Sequence, residues 1–158
     1  MRYFALLFLF SLSCQAGPSE STKPVKYEVV KTPSQWRKTL TKSQFHILRE
    51  AGTERAFSGK YWDNKKHGTY VCAACGQPLF TSADKFKSGT GWPSYTKPIT
   101  PKSVHTKVDR AFGMVRTEAL CARCGGHLGH VFNDGPPPTG ERWCINSASL
   151  FFVADKKH

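Results

Sequence analysis

Two matched turns constrain this chain more than any other feature: Cys72-Ala73-Ala74-Cys75-Gly76 and Cys121-Ala122-Arg123-Cys124-Gly125-Gly126. Four thiolates carried on two such turns suit tetrahedral zinc. The glycine after each pair permits a tight turn that points backbone N–H groups at sulfur. With 45 residues between the pairs, the metal would staple two distant strand–turn units rather than build a compact finger. Disulfides in an exported chain, or a thioredoxin-type redox pair, are the rival readings. Neither accounts for two matched turns, and no strand-to-helix pattern surrounds either one. The expected site is one structural Zn²⁺ per chain on Cys72, Cys75, Cys121 and Cys124, with no open position for catalysis.

At 158 residues, 39% apolar and 22% charged, the chain is long enough for a single domain with its own core. It has no apolar run of membrane-spanning length, so no transmembrane span is expected. A net charge of +12 and two cysteine turns invite a zinc-ribbon nucleic-acid binder. Binding would need a clustered basic stripe, and the lysines and arginines are scattered. The expectation is therefore no nucleic-acid partner.

Residues 3–12 form a short apolar run behind Arg2, the pattern of a secretory leader. Cys14-Gln15-Ala16 ends it with small residues at the first and third positions, so residues 1–16 read as a signal peptide. The alternatives are lipidation at Cys14 and a buried N-terminal strand. A secreted or periplasmic location follows, or a lipid-anchored one. Residues 17–32 read as a polar linker that ends in a short extended piece, and 33–155 as the folded domain.

Within that domain Ser34 is expected to cap a first short helix. Thr41 and Gln44 make a capping box for a second, which Gly52 ends. Beyond about Gly68, frequent Gly and Pro separate strand-like runs at 69–71, 104–108, 111–116 and 143–153. The fold class is mainly β: a small antiparallel domain with short N-terminal helices and a Cys₄ zinc site.

Cys144 is left over by the metal turns. If Arg142-Trp143-Cys144-Ile145-Asn146 is a strand, then Arg142, Cys144 and Asn146 share one face. A guanidinium beside a thiol favours the thiolate, the nucleophilic form. An inert, buried cysteine is the alternative, and the residues alone leave both open. His127 and His130 follow the second turn directly, with Asp134 close behind, so they can supply and orient a proton donor near neutral pH. A C₂H₂ metal site on Cys121, Cys124, His127 and His130 is the competing arrangement. Trp92, set between Gly91 and Pro93, reads either as a presented ring for a small apolar group or as ordinary core.

The ordered set C-A-A-C-G, S-G-T-G-W-P-S, C-A-R-C-G-G-H-L-G-H-V-F-N-D-G and R-W-C-I-N-S resembles the methionine sulfoxide reductase B family over residues 33–155. The resemblance implies an antiparallel β fold with a structural zinc, and reduction of the R epimer of methionine sulfoxide in peptides and proteins. By position, Cys144 would be the nucleophile, and His127 and His130 would serve acid catalysis and water positioning. Asp134, Arg142 and Asn146 would shape the hydrogen-bond network, and Trp92 would hold the sulfoxide methyl. Many members carry a resolving cysteine where this chain has Thr90, so an external thiol, thioredoxin-like or small, is the expected reductant. A monomer acting in the repair of oxidised proteins is expected.

Overall fold

The computed structural model describes residues 25–156. The proposed signal peptide and the first part of the linker lie outside them. Two short helices open the domain. The first, α1 (Pro33–Thr39), is capped by Thr32, whose side chain accepts from the Gln35 N–H while Gln35 reaches back to the Thr32 N–H. This corrects the expectation for Ser34, which sits inside the helix; Pro33 takes the first helical position, where its missing N–H is harmless. The second, α2 (Lys42–Glu50), carries the expected Thr41–Gln44 capping box. Ala51 takes the left-handed conformation at its end, one residue before the glycine expected there, and the Gly52 N–H closes the turn on His46 O at 3.0 Å.

Among the described residues nine antiparallel strands follow: β1 (Gly68–Cys72), β2 (Pro78–Thr81), β3 (Lys85–Phe86), β4 (Ser94–Tyr95), β5 (Val104–Asp109), β6 (Arg116–Cys121), β7 (His127–Phe132), β8 (Arg142–Ile145) and β9 (Leu150–Ala154). They make a three-stranded sheet, β2-β1-β9, and a six-stranded sheet, β3-β4-β8-β7-β6-β5. Two of the expected runs divide differently. Residues 111–113 form a 3₁₀ turn, and the strand begins only at Arg116. The run 143–153 breaks at a second 3₁₀ turn, Ser147–Ser149, which sends its halves into different sheets.

The sheets meet through aromatic rings. Phe80 of β2 stacks on Tyr95 of β4 with centroids 4.4 Å apart, and Tyr70 of β1 meets Tyr95 edge-on at 5.3 Å. Trp143 of β8 lies 6.2 Å from Phe80. Pairs of this kind contribute about 0.5–1.5 kcal/mol each beyond the area they bury. Helix α2 adds Phe45, Ile47 and Leu48 to the buried set, and Arg49 donates to Cys124 O at 3.0 Å. Residues 25–32 run past the second cysteine turn, where the Val29 N–H donates to Arg123 O at 3.0 Å. Among the described residues no helix is long and apolar enough to cross a membrane.

Candidate active site and metal centre

Strands β1 and β6 end at Cys72 and Cys121, the first cysteine of each turn. In both turns the glycine N–H returns to the carbonyl of that first cysteine at 2.8 Å, with φ of 75° at Gly76 and 68° at Gly125. Only glycine adopts such angles at no steric cost. The four sulfurs all lie within 4.8 Å of one another. Cys72 and Cys124 are 3.8 Å apart, and Cys75 and Cys121 3.5 Å. A tetrahedral zinc with Zn–S bonds of about 2.3 Å spaces its sulfurs about 3.8 Å apart, so the cluster fits that ion. The C₂H₂ arrangement fails: among the described residues the ligand group is the four cysteines, and His127 is committed elsewhere.

The face of the six-stranded sheet carrying Cys144 is set by β8, whose Trp143 and Ile145 turn into the core. Cys144 therefore points the other way, directly opposite His130 in the β7–β8 ladder. Residues three apart in a regular strand face opposite sides, yet His127 and His130 share a face. The cause is an irregularity in the β6–β7 ladder, where Gly129 pairs Ala119 and His127 pairs Leu120, leaving Leu128 as an extra residue. Gly129 is required beside it, because a Cβ there would collide with the backbone carbonyl of Cys144.

Each histidine has a carboxylate partner, and in neither case is it Asp134. His127 Nδ1 lies 2.6 Å from Glu118 Oε1 on β6, and His130 Nε2 lies 2.9 Å from Asp109 Oδ2 on β5. Asp109 also binds Arg116 at 2.7 Å and accepts the Ala111 N–H at 2.9 Å. These contacts, the Ala111 bond first, hold its carboxyl well below the usual range. Asp134 instead binds Arg142 through Nε at 2.8 Å and Nη2 at 2.9 Å.

A pocket of about 150 Å³ opens on Cys144, His130, Trp92, Phe132, Arg116 and Asn146. His127 is not among its walls. It lies behind His130, with ring centroids 5.4 Å apart, and its Nε2 is buried without a partner. Trp92 donates its indole N–H to Glu54 O at 3.1 Å. Glu54 also receives the Ser147 and Ala148 N–H groups at 2.6 and 3.0 Å, and its own N–H binds Asn146 Oδ1 at 3.1 Å. Glu54, Asp109, Arg116 and Glu118 were invisible in the sequence as site residues, because their partners come from other strands and loops.

Burial pushes the Cys144 thiol above its ordinary value, outweighing Arg142 and Thr90, both of which favour the thiolate. Arg142 favours the thiolate, as expected of a guanidinium beside it, but it reduces the penalty of burial without cancelling it. Burial likewise pushes His130 down, against the pull of Asp109.

A family model described as the SelR domain matches residues 40–154. The chain is 62% identical to a peptide methionine sulfoxide reductase MsrB of Thiobacillus denitrificans over 122 residues, covering 77% of this chain and 92% of that protein. The chain belongs to the MsrB family. It is also 57% identical to an MsrB of Leptospira interrogans over 81% of this chain and 98% of that one. An MsrB of Methanosarcina barkeri shares 54% over 82% and 91%. As an MsrB-family chain it has the mainly antiparallel β architecture expected from its sequence.

Proposed function

We propose that this chain is a peptide-methionine (R)-S-oxide reductase that resets through an external thiol. The observation that carries the reading is the pairing of Cys144 with His130 across one ladder, in a pocket walled by Trp92. With its Nε2–H committed to Asp109, His130 gains and gives its proton at Nδ1. The Cys144 thiolate attacks the sulfoxide sulfur while the imidazolium protonates the departing oxygen. The oxygen ends on Cys144 as a sulfenic acid, and methionine leaves. One thiol then forms a mixed disulfide with Cys144 and releases water, and a second returns Cys144 to the thiol. Trp92 holds the methyl group, which leaves one arrangement of oxygen and lone pair facing the donors. His127, buried on Glu118, sets the orientation of His130 and water behind the pocket.

The four clustered cysteines would hold one Zn²⁺, whose contribution is folding free energy. Substrates are oxidised methionines in peptides and proteins, which makes the role one of repair. Export rests on residues 2–16, and N-terminal sequencing of the mature protein tests it.

Assaying the zinc-loaded protein on both sulfoxide epimers of a blocked methionine tests the activity. Only the R epimer should be consumed, and Cys144→Ser should abolish turnover with the fold intact. Equal consumption of both epimers would overturn the reading.

A further inference from the structure

The Cys144 pocket has a larger neighbour. A groove of about 290 Å³ shares Trp92 with it and runs between the loop over residues 51–67 and the segment 85–92. Phe57 and Trp62 supply its aromatic wall, meeting edge-on with centroids 5.3 Å apart, and both are exposed, at 55% and 37%. Lys65, Lys66 and Lys87 line it as well, and Asp63 is its one carboxylate. Asp63 lies 3.9 Å from Lys65, while Lys85 is spent on the Trp62 carbonyl at 3.0 Å. The groove is therefore net positive around an aromatic wall.

The backbone holds that wall outward against its own preference. Phe57 has φ of 63°, an outlier for a bulky residue, and its N–H is fastened to Gly91 O at 2.9 Å. Gly91 is itself at φ 91°, and a Cβ there would lie 2.7 Å from the Phe57 nitrogen. Gly91 adjoins Trp92, so the ring that walls the pocket and the ring that walls the groove are positioned by the same backbone contact. No packing need explains an exposed phenylalanine in a strained conformation, whereas a binding wall does.

We propose that this groove binds the acidic flank of a peptide whose methionine sulfoxide occupies the Cys144 pocket. The proposal rests on the function given above and adds a substrate class to it: methionines neighboured by Asp or Glu. The lysines meet the carboxylates, and the Phe57–Trp62 wall meets the methylenes and backbone of the flank. Four lysines on one groove, joined to a thiol pocket, fit a short peptide better than a nucleic-acid backbone, which needs an extended basic track.

The test uses the zinc-loaded protein and three R-sulfoxide substrates: a blocked single residue, and pentapeptides whose central methionine is flanked by Asp or by Lys. At low salt the Asp peptide should show a KM about fivefold or more below that of the Lys peptide, and the gap should narrow as salt is raised. The variant Lys65→Gln/Lys66→Gln/Lys87→Gln should lose the preference while keeping its kcat on the blocked residue. A control variant, Lys38→Gln/Lys42→Gln on the N-terminal helices, should keep it. Equal KM values for the two peptides overturn the proposal. So does a preference that survives the groove variant, which would assign it to the overall charge. Competition by a short DNA strand without any peptide preference would assign the groove to nucleic acid instead. If the blocked residue is not reduced at all, the reductase reading fails. Tryptophan fluorescence titration with the two peptides then still reads the groove: tighter binding of the Asp peptide supports it, and equal binding overturns it.

Discussion

Arg142 grips Asp134 with two nitrogens, at 2.8 and 2.9 Å, while its guanidinium carbon lies 4.4 Å from the centre of the Phe132 ring. The cation is thus fixed in place beside Cys144, and its effect on the thiol is opposed by burial and by Asp134. Arg142→Met should leave burial to act with less opposition. Alkylation of Cys144 by iodoacetamide should slow at neutral pH, and its pH midpoint should move up. An unchanged midpoint would remove Arg142 from the activation of the thiol.

A thiol raised by burial and a histidine lowered by burial place the reactive form, thiolate with imidazolium, in the minority at every pH. The single-turnover rate should therefore climb to a midpoint below the ordinary histidine value, stay flat, and fall above the ordinary cysteine value. Asp109 supports the charged His130, so Asp109→Asn should move the lower midpoint further down and reduce the plateau. A profile that keeps its lower midpoint in this variant would show that His130 is not the donor.

Glu118 is buried between His127 at 2.6 Å and Lys107 at 3.0 Å. Glu118→Gln should destabilise the fold by about 1–3 kcal/mol near neutral pH, since the amide keeps one acceptor for two donors and loses the charge that faces the buried His127 and the exposed Lys107. The wild-type carboxyl is held below its usual value. Its stabilisation is present above the unfolded-state value and is lost as pH falls through the lowered folded one. Urea titrations in neutral and acidic buffer should show a smaller acid loss for the variant than for the wild type.

Thr90 is near enough to Cys144 to favour its thiolate. Position 90 is therefore within reach of the nucleophile. Thr90→Cys should form a disulfide with Cys144 after one equivalent of substrate, whereas the wild type should accumulate a sulfenic acid. Mass spectrometry with a dimedone trap distinguishes the two. A wild-type disulfide to a zinc cysteine would contradict the external-thiol cycle.

Metal removal should unfold the domain, because the two sheets are joined at their strand ends by the cysteine cluster. Cys121→Ser should cost about 3 kcal/mol or more, read as loss of the folded state by circular dichroism. X-ray absorption should find sulfur alone in the first shell, and a nitrogen neighbour would rule out the Cys₄ assignment.

The cysteine cluster was legible because each turn is local: the spacing, the glycine and the chemistry of sulfur sit within six residues. The face shared by Cys144 and Arg142 was legible because β8 alternates regularly. Asp134 was noticeable for its nearness to the histidines along the chain, yet it belongs to the network through Arg142 rather than through them. The carboxylates that bind the histidines lie on β6 and, one strand further, on β5, where only register decides contact. The strands β3 and β4, two residues each, carry no readable period. The first helix cap was readable in Thr32-Pro33-Ser34-Gln35, but the box starts two residues before the serine chosen for it.

The extra residue at Leu128 resets the parity of β7. Upstream of it, the strand's in-and-out phase follows the metal turn, with Gly126 resting against Leu48; downstream, it follows the β8 ladder that presents Cys144. One short strand thus serves two masters whose phases disagree. Adding a single residue between His127 and His130 would leave the length of the sheet nearly unchanged, yet it would force one of the two ends out of phase: either the histidine next to the metal turn or the histidine facing the thiol would swing to the far side. Losing Leu128 would instead keep the two histidines in phase, as residues two apart, and its cost would be the core side chain it removes.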